Sequence, residues 1–131
     1  MNTNEILFEI TRSNGILTSA KIIMPTWSRV GEDGNIYVQI PLLELSTFGV
    51  NEEDADIAVK EAFECFCILA EKHGKGLERE LELLGWNRAI KKNPVKHYAL
   101  LKFKSPNPAF NNITKTGESM VLTFQPQMAF A

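Results

Sequence analysis

Residues 46–66 read "STFGVNEEDADIAVKEAFECF". Four of the five residues 52–56 are acidic, and then the chain turns apolar. Such a run is either a set of ligands or the first turns of a helix. Asn51 has a side-chain oxygen suited to the orphan amides of a helix start, with Asp54 three residues on. Glu52, Glu53, Asp54 and Asp56 then fall where carboxylates complement the positive end of the helix dipole. Beyond them Ala55, Ala58, Val59, Ala62, Phe63, Phe66, Leu69 and Ala70 keep the i, i+3, i+4 spacing of one apolar stripe. Glu61, Glu64 and Glu71 fall on the other side with Lys60 and Lys72. The spacing predicts a helix from about residue 52 to His73, with Gly74 as its stop. The acidic run is therefore read as a capped helix start.

The flanks read as strands. In "EILFEIT" (5–11), Ile6, Phe8 and Ile10 share a face. Asn14-Gly15 is a hairpin signal, because both residues tolerate positive φ. "ILTSAKIIM" (16–24) resumes the strand, and Pro25 is expected to end it. "GEDG" (31–34) is a second turn and "NIYVQIP" (35–41) a further strand, weakened at Pro41. A shorter helix fits 77–84, with Leu77, Leu81 and Leu84 on one side and Gly85 as its stop. "VKHYALLKF" (95–103) is a strand candidate whose Val95, Ala99, Leu101 and Phe103 share a face with His97 among them. "NITKTGESMVLTFQ" (112–125) reads as a hairpin turning at Gly117. The expected class is α+β: a mostly antiparallel sheet with one long and one short helix packed on one face.

Length and composition bound the function. A chain of 131 residues argues for one domain, 1–131, with a sizeable core. A net charge of −2 gives no global field toward nucleic acid or membrane. No apolar run approaches the roughly 18 residues of a membrane span, and the first ten residues lack the basic and apolar regions of a signal peptide. With two cysteines, at 65 and 67, the expectation is a reduced cytoplasmic protein.

Enzyme chemistry has little to stand on. The carboxylates concentrate on helices rather than converging from several elements as a metal site requires. Cys65 and Cys67 are two apart on a helix, about 200° apart in direction, and cannot share a zinc. His73 suits a helix end and His97 a packed strand face. There is no nucleophile motif and no phosphate loop. No catalytic residue, metal ligand or cofactor is expected.

Charge is unevenly spread. Residues 52–82 hold ten acids and four bases, whereas 83–117 hold no acid and seven bases. Arg88, Lys91, Lys92, Lys96, Lys102 and Lys104, with Tyr98 among them, form a candidate nucleic-acid face on the strand at 95–104. The same lysines also suit a sheet edge protected against aggregation. On the helix, Ile57 and Ile68 point away from the stripe and differ by only about 20° in direction. With Glu61 and Glu64 they form a candidate protein interface, either for a second copy or for another protein.

The middle of the chain, "GEDGNIYVQIPLLELSTFGVNEEDADIAVKEAFECF", resembles the N-terminal domain of HicB-like antitoxins over about residues 22–74. The motifs are the Asp33-Gly34 turn, the run from Tyr37 to Pro41, Gly49, the cap at Asn51, Glu53-Asp54-Ala55 and Glu61-Ala62. The family's Leu-Pro-Gly-Cys type segment is here Leu42-Leu43-Glu44-Leu45. Residues 75–131 read as a short helix and strands, not as the DNA-binding domain that usually follows this unit. The resemblance implies a non-enzymatic interaction module that binds and neutralises an RNA-cleaving HicA-like toxin, commonly as an oligomer. A small nucleic-acid-binding protein using 95–104 is the alternative reading, and an RNA-cleaving enzyme using His97 is a third.

Overall fold

The first turn sets the topology. Asn14 and Gly15 sit at φ 53° and 79°, the left-handed pair that a two-residue hairpin turn requires. They join β1 (Ile6–Ser13) to β2 (Ile16–Val30). The computed structural model describes residues 6–88, 97–103 and 118–125. Alternation places Phe8 and Ile10 of β1 and Ala20, Ile22 and Met24 of β2 in the core. Leu17 is buried too, although its parity is opposite. A bulge accounts for this: Thr11 faces Ser19 and Arg12 faces Leu17, so Thr18 has no cross-strand partner. The extra residue resets the phase of the strand, and its hydroxyl donates to the Thr11 carbonyl at 3.0 Å.

Strand β2 does not stop at Pro25 but runs fifteen residues to Val30. Its β1 pairing ends at Ile22, so among the described residues the missing proline N–H leaves no ladder bond broken on that side. From there β2 pairs through Ala20–Thr26 with β7 (Glu118–Phe124) and through Trp27–Val30 with β3 (Ile36–Ile40). The turn between β2 and β3 closes with Gly34 at φ 84° and Asp33 accepting from the Asn35 N–H at 3.0 Å.

After β3 the chain departs from the expected simple strand end. Pro41–Leu43 form one 3₁₀ turn, Glu44 takes the left-handed conformation at φ 57°, and a further strand, β4 (Leu45–Gly49), pairs back on β3. Proline at a helical first position removes only an N–H that would be unpaired. Gly49 then lets helix α1 (Glu52–Lys72) settle on β4. A Cβ there would lie 2.3 Å from the Ala55 nitrogen.

Helix α1 starts as expected, with the Asn51 side chain accepting from the Asp54 N–H at 2.8 Å. Asp54 in turn accepts from the Val50 N–H at 3.0 Å, and Gly74 donates to Leu69 at the other end. The buried line is Ala55, Val59, Phe63, Cys67 and Ala70. Four of these five belong to the predicted stripe; the difference is at its edge, where Cys67 is fully buried and Leu69 is exposed. Phe63 meets Phe8 at 5.8 Å between ring centroids, and Trp86 meets Phe8 edge-on at 5.6 Å. Each such fully buried ring contributes about 1.5–3 kcal/mol.

Helix α2 (Leu77–Leu83) buries Leu77 and Leu81. It leads to β5 (Asn87–Arg88), which pairs with β6 (His97–Phe103), itself antiparallel to β1. The sheet order is β4-β3-β2-β1-β6-β5 with β7 also on β2, and every pairing is antiparallel. The chain is thus α+β, with two helices on one face of an antiparallel sheet. Strand β6 is not a bare edge, since β5 pairs with it at Lys102 and Leu101. Of the hairpin expected around Gly117, only the β7 arm lies within the described residues, and it pairs with β2.

Candidate interaction surface

Among the described residues the helices lie on one face of the sheet, and the other face carries exposed side chains. In the β2–β3–β4 part, Val38 and Ile40 turn inward under α1, so alternation turns Tyr37 and Gln39 outward. Register then does what sequence spacing alone does not reveal. Arg29 lies opposite Tyr37, and Tyr37 lies opposite Phe48, so three residues from three strands form one row.

The row is in contact along its length. The rings of Tyr37 and Phe48 stack at 5.6 Å between centroids, inclined at 26°. The Arg29 guanidinium carbon lies 4.9 Å from the Tyr37 ring centroid, within the range of a cation–π contact. The Tyr37 hydroxyl donates to Asp33 Oδ2 at 2.7 Å. That bond, joined by the Asn35 N–H, holds the Asp33 carboxyl below its usual value; the same bond to Asp33 pushes the Tyr37 hydroxyl above its own. Tyr37 is therefore held at its tip by Asp33 and along its sides by Arg29 and Phe48. The neighbouring row, Trp27, Gln39 and Ser46, is also cross-strand. Together the rows line an open depression of about 560 Å³. Phe48 remains 52% exposed at its outer end. Spacing along the chain does not mark this surface. The signal was a large aromatic on the polar phase of "IYVQI", but its partners emerge only with the register.

The helix residues singled out from sequence lie where expected. Ile57 is 51% and Ile68 37% exposed, and Glu61 and Glu64 are exposed with them. They line the exposed side of α1, away from its buried line.

The basic residues are placed less completely. Arg88 is in β5 opposite Leu101, Tyr98 is opposite Thr11, and Lys102 lies between Leu7 and Asn87. Lys91, Lys92, Lys96 and Lys104 lie outside the described residues. His97 pairs with Arg12 in the ladder. His73 follows α1, where its N–H donates to Leu69. Cys65 is exposed, whereas burial pushes the Cys67 thiol well up, with the charges of Glu71 and Glu64 adding to it. Among the described residues no group of three or more His, Cys, Asp or Glu is arranged to hold a metal ion. No described helix is long and apolar enough to cross a membrane.

One charged cluster was not foreseen. Arg12 forks onto Glu71, at 3.0 and 2.6 Å, and onto Glu78, at 2.9 and 2.6 Å. It also donates to the Gly15 carbonyl at 3.0 Å. Glu71 further accepts from the Leu77 N–H at 2.7 Å, which starts α2. The four Arg12–carboxylate bonds tie the β-hairpin to the two helices, and the Leu77 bond ties the helices to each other, so the cluster is a clasp. No protein-family model, curated protein or solved structure matches the chain.

Proposed function

We propose that the chain is a non-enzymatic protein-binding module of the HicB-like antitoxin kind, and that it engages its partner through the open row Arg29–Tyr37–Phe48. The observation that carries this reading is the row itself: two rings and a guanidinium, stacked and left open to solvent. Tyrosine and arginine dominate the energetics of protein interfaces. Side chains already held in place lose little entropy when a partner arrives. All three residues fall within 22–74, the segment that carries the family resemblance, and the partner that resemblance implies is an RNA-cleaving HicA-like toxin.

The test is an RNA-cleavage assay with a purified HicA-like toxin, titrated with this chain and with a Tyr37→Ala/Phe48→Ala variant. The wild type is expected to silence cleavage near one-to-one stoichiometry. The variant should bind at least about thirtyfold more weakly, since two central aromatic anchors contribute at least about 2 kcal/mol together. Equal inhibition by both proteins, or none by either, contradicts the proposal. Direct, salt-sensitive RNA binding by the chain alone would favour the nucleic-acid reading through 95–104 instead.

A further inference from the structure

Sheet edges invite pairing with other chains, and proteins normally blunt them with lysine, proline, a bulge or a covering element. Strand β4 carries none of the first three. Leu45–Gly49 reads "LSTFG", uncharged and free of proline, and its pairing with β3 keeps one register throughout, from Ile36↔Gly49 to Ile40↔Leu45. Among the described residues β3 is its one strand partner. Ser46 and Phe48 are exposed, and Val50 beyond them is exposed as well. The result is a regular, neutral edge with an aromatic ring beside it.

We infer that this edge is a self-association site, at which β4 pairs antiparallel with β4 of a second copy about a two-fold axis through Thr47. The register follows from what the strand contains. An axis at Thr47 uses all five residues, setting Leu45 against Gly49 of the second copy and Ser46 against Phe48. Thr47 meets its own equivalent, a favourable cross-strand pair. Shifting the axis one residue to Phe48 would set Glu44 against Glu52 of the second copy, a like-charge pair that the Thr47 register avoids. The two Phe48 rings become diagonal neighbours across the seam, within reach of aromatic side chains. The acidic starts of the two α1 helices, which rest on Gly49, fall at opposite ends of the seam rather than against each other.

The row Arg29–Tyr37–Phe48 of one copy then runs on into Ser46, Gln39 and Trp27 of the other. Two half-sites thus become one continuous strip across the dimer. A five-residue edge pairing is small beside the roughly 1,200–2,000 Å² of a stable interface, so the dimer forms in a concentration-dependent way. Its formation does not depend on what partner the row binds.

The experiment is sedimentation of the chain alone over a concentration series, with two double variants that change only exposed side chains. Ser46→Lys/Phe48→Lys places lysine opposite lysine twice across the axis. Ser46→Lys/Phe48→Glu places lysine opposite glutamate twice. The wild-type mass should rise from 14.7 kDa toward twice that value. The Lys/Lys variant should associate at least about tenfold more weakly, and the Lys/Glu variant should dimerise again, with the circular dichroism of all three unchanged. A wild type that stays monomeric, a Lys/Lys variant that still dimerises, or a Lys/Glu variant that does not, overturns the inference. So does a dimer that Ile57→Lys/Ile68→Lys abolishes while Lys/Lys does not, because the seam then lies on α1. No partner protein enters the experiment, so its outcome is separate from that of the toxin titration.

Discussion

Replacing Arg12 by Met keeps the aliphatic stem against its surroundings and removes the guanidinium. That leaves Glu71 and Glu78 facing each other without a cation between them. A hydrogen bond to a charged group contributes about 1.5–3 kcal/mol, and breaking one partner of a buried pair costs about 3–5 kcal/mol. The four contacts share one guanidinium and do not add. The side chains of Arg12, Glu71 and Glu78 are 19%, 24% and 14% exposed, so solvent screens part of the interaction. The loss at pH 7 is therefore set at about 3 kcal/mol, a large part of the roughly 5–15 kcal/mol of a typical domain.

The pH dependence then reverses sign between the two proteins. In the wild type, burial pushes the Glu71 carboxyl up, but its bonds from Arg12 and from the Leu77 N–H outweigh that and hold it below its ordinary 4.5. That contribution is present above 4.5 and is lost as pH falls through the depressed folded value. In Arg12→Met the Arg12 bonds are gone, and burial, the largest influence, together with the Glu78 charge outweighs the Leu77 N–H bond that remains, so the folded carboxyl rises above its unfolded value. The variant accordingly regains stability on acidification. Urea unfolding followed by the fluorescence of the buried Trp86 measures both proteins at pH 7 and near 4.5. The gap should narrow by about 1 kcal/mol or more, since one pKa unit is about 1.4 kcal/mol. A loss below about 1 kcal/mol at pH 7, or a gap that stays flat or widens with acid, refutes the clasp.

Asn51→Ala removes the cap on α1 and should cost about 1 kcal/mol in urea unfolding, whereas Asn51→Ser should recover most of it; equal stabilities would show that the cap contributes nothing. Gly49→Ala forces a Cβ to 2.3 Å from the Ala55 nitrogen, backbone against backbone, so it should destabilise by about 3 kcal/mol or more, and a loss under about 1 kcal/mol would mean that α1 lifts off β4 without strain. A disulfide exchange reagent should label Cys65 quickly in the native protein and Cys67 only on unfolding, because burial keeps the Cys67 thiol protonated; two fast thiols would contradict the packing of α1.

What the sequence made legible was local. The Asn51 cap, the Asn14-Gly15 turn and the stop at Gly74 each depend on residues a few positions apart, and each forms as expected. Ala55, Val59, Phe63 and Ala70 of the predicted α1 stripe are buried, but Leu69 at its far edge is exposed and Cys67 is buried in its place. Packing against Phe8 favours the line through Phe63 and Cys67. Strand β4 escaped notice because "LSTFG" is short and mostly small or polar, and what makes it a strand is β3 beside it. The Arg12 clasp spans 59 and 66 residues of sequence, and no spacing rule pairs such distant charges. The open aromatic row was hidden for the same reason. Arg29, Tyr37 and Phe48 are unremarkable one by one, and only the registers of β2 with β3 and of β3 with β4 bring them together.

The central claim is that the open row, rather than α1 or the basic strand, meets the partner. Hydroxyl-radical footprinting of the chain, alone and saturated with a HicA-like toxin, reads this directly because the radical labels exposed aromatic side chains. The account predicts that labelling of Tyr37, Phe48 and Trp27 falls severalfold in the complex while Ile57, Ile68 and Leu69 on α1 keep theirs. Unchanged labelling at Tyr37 and Phe48, with protection at Ile57 and Ile68 or at Tyr98, would contradict it.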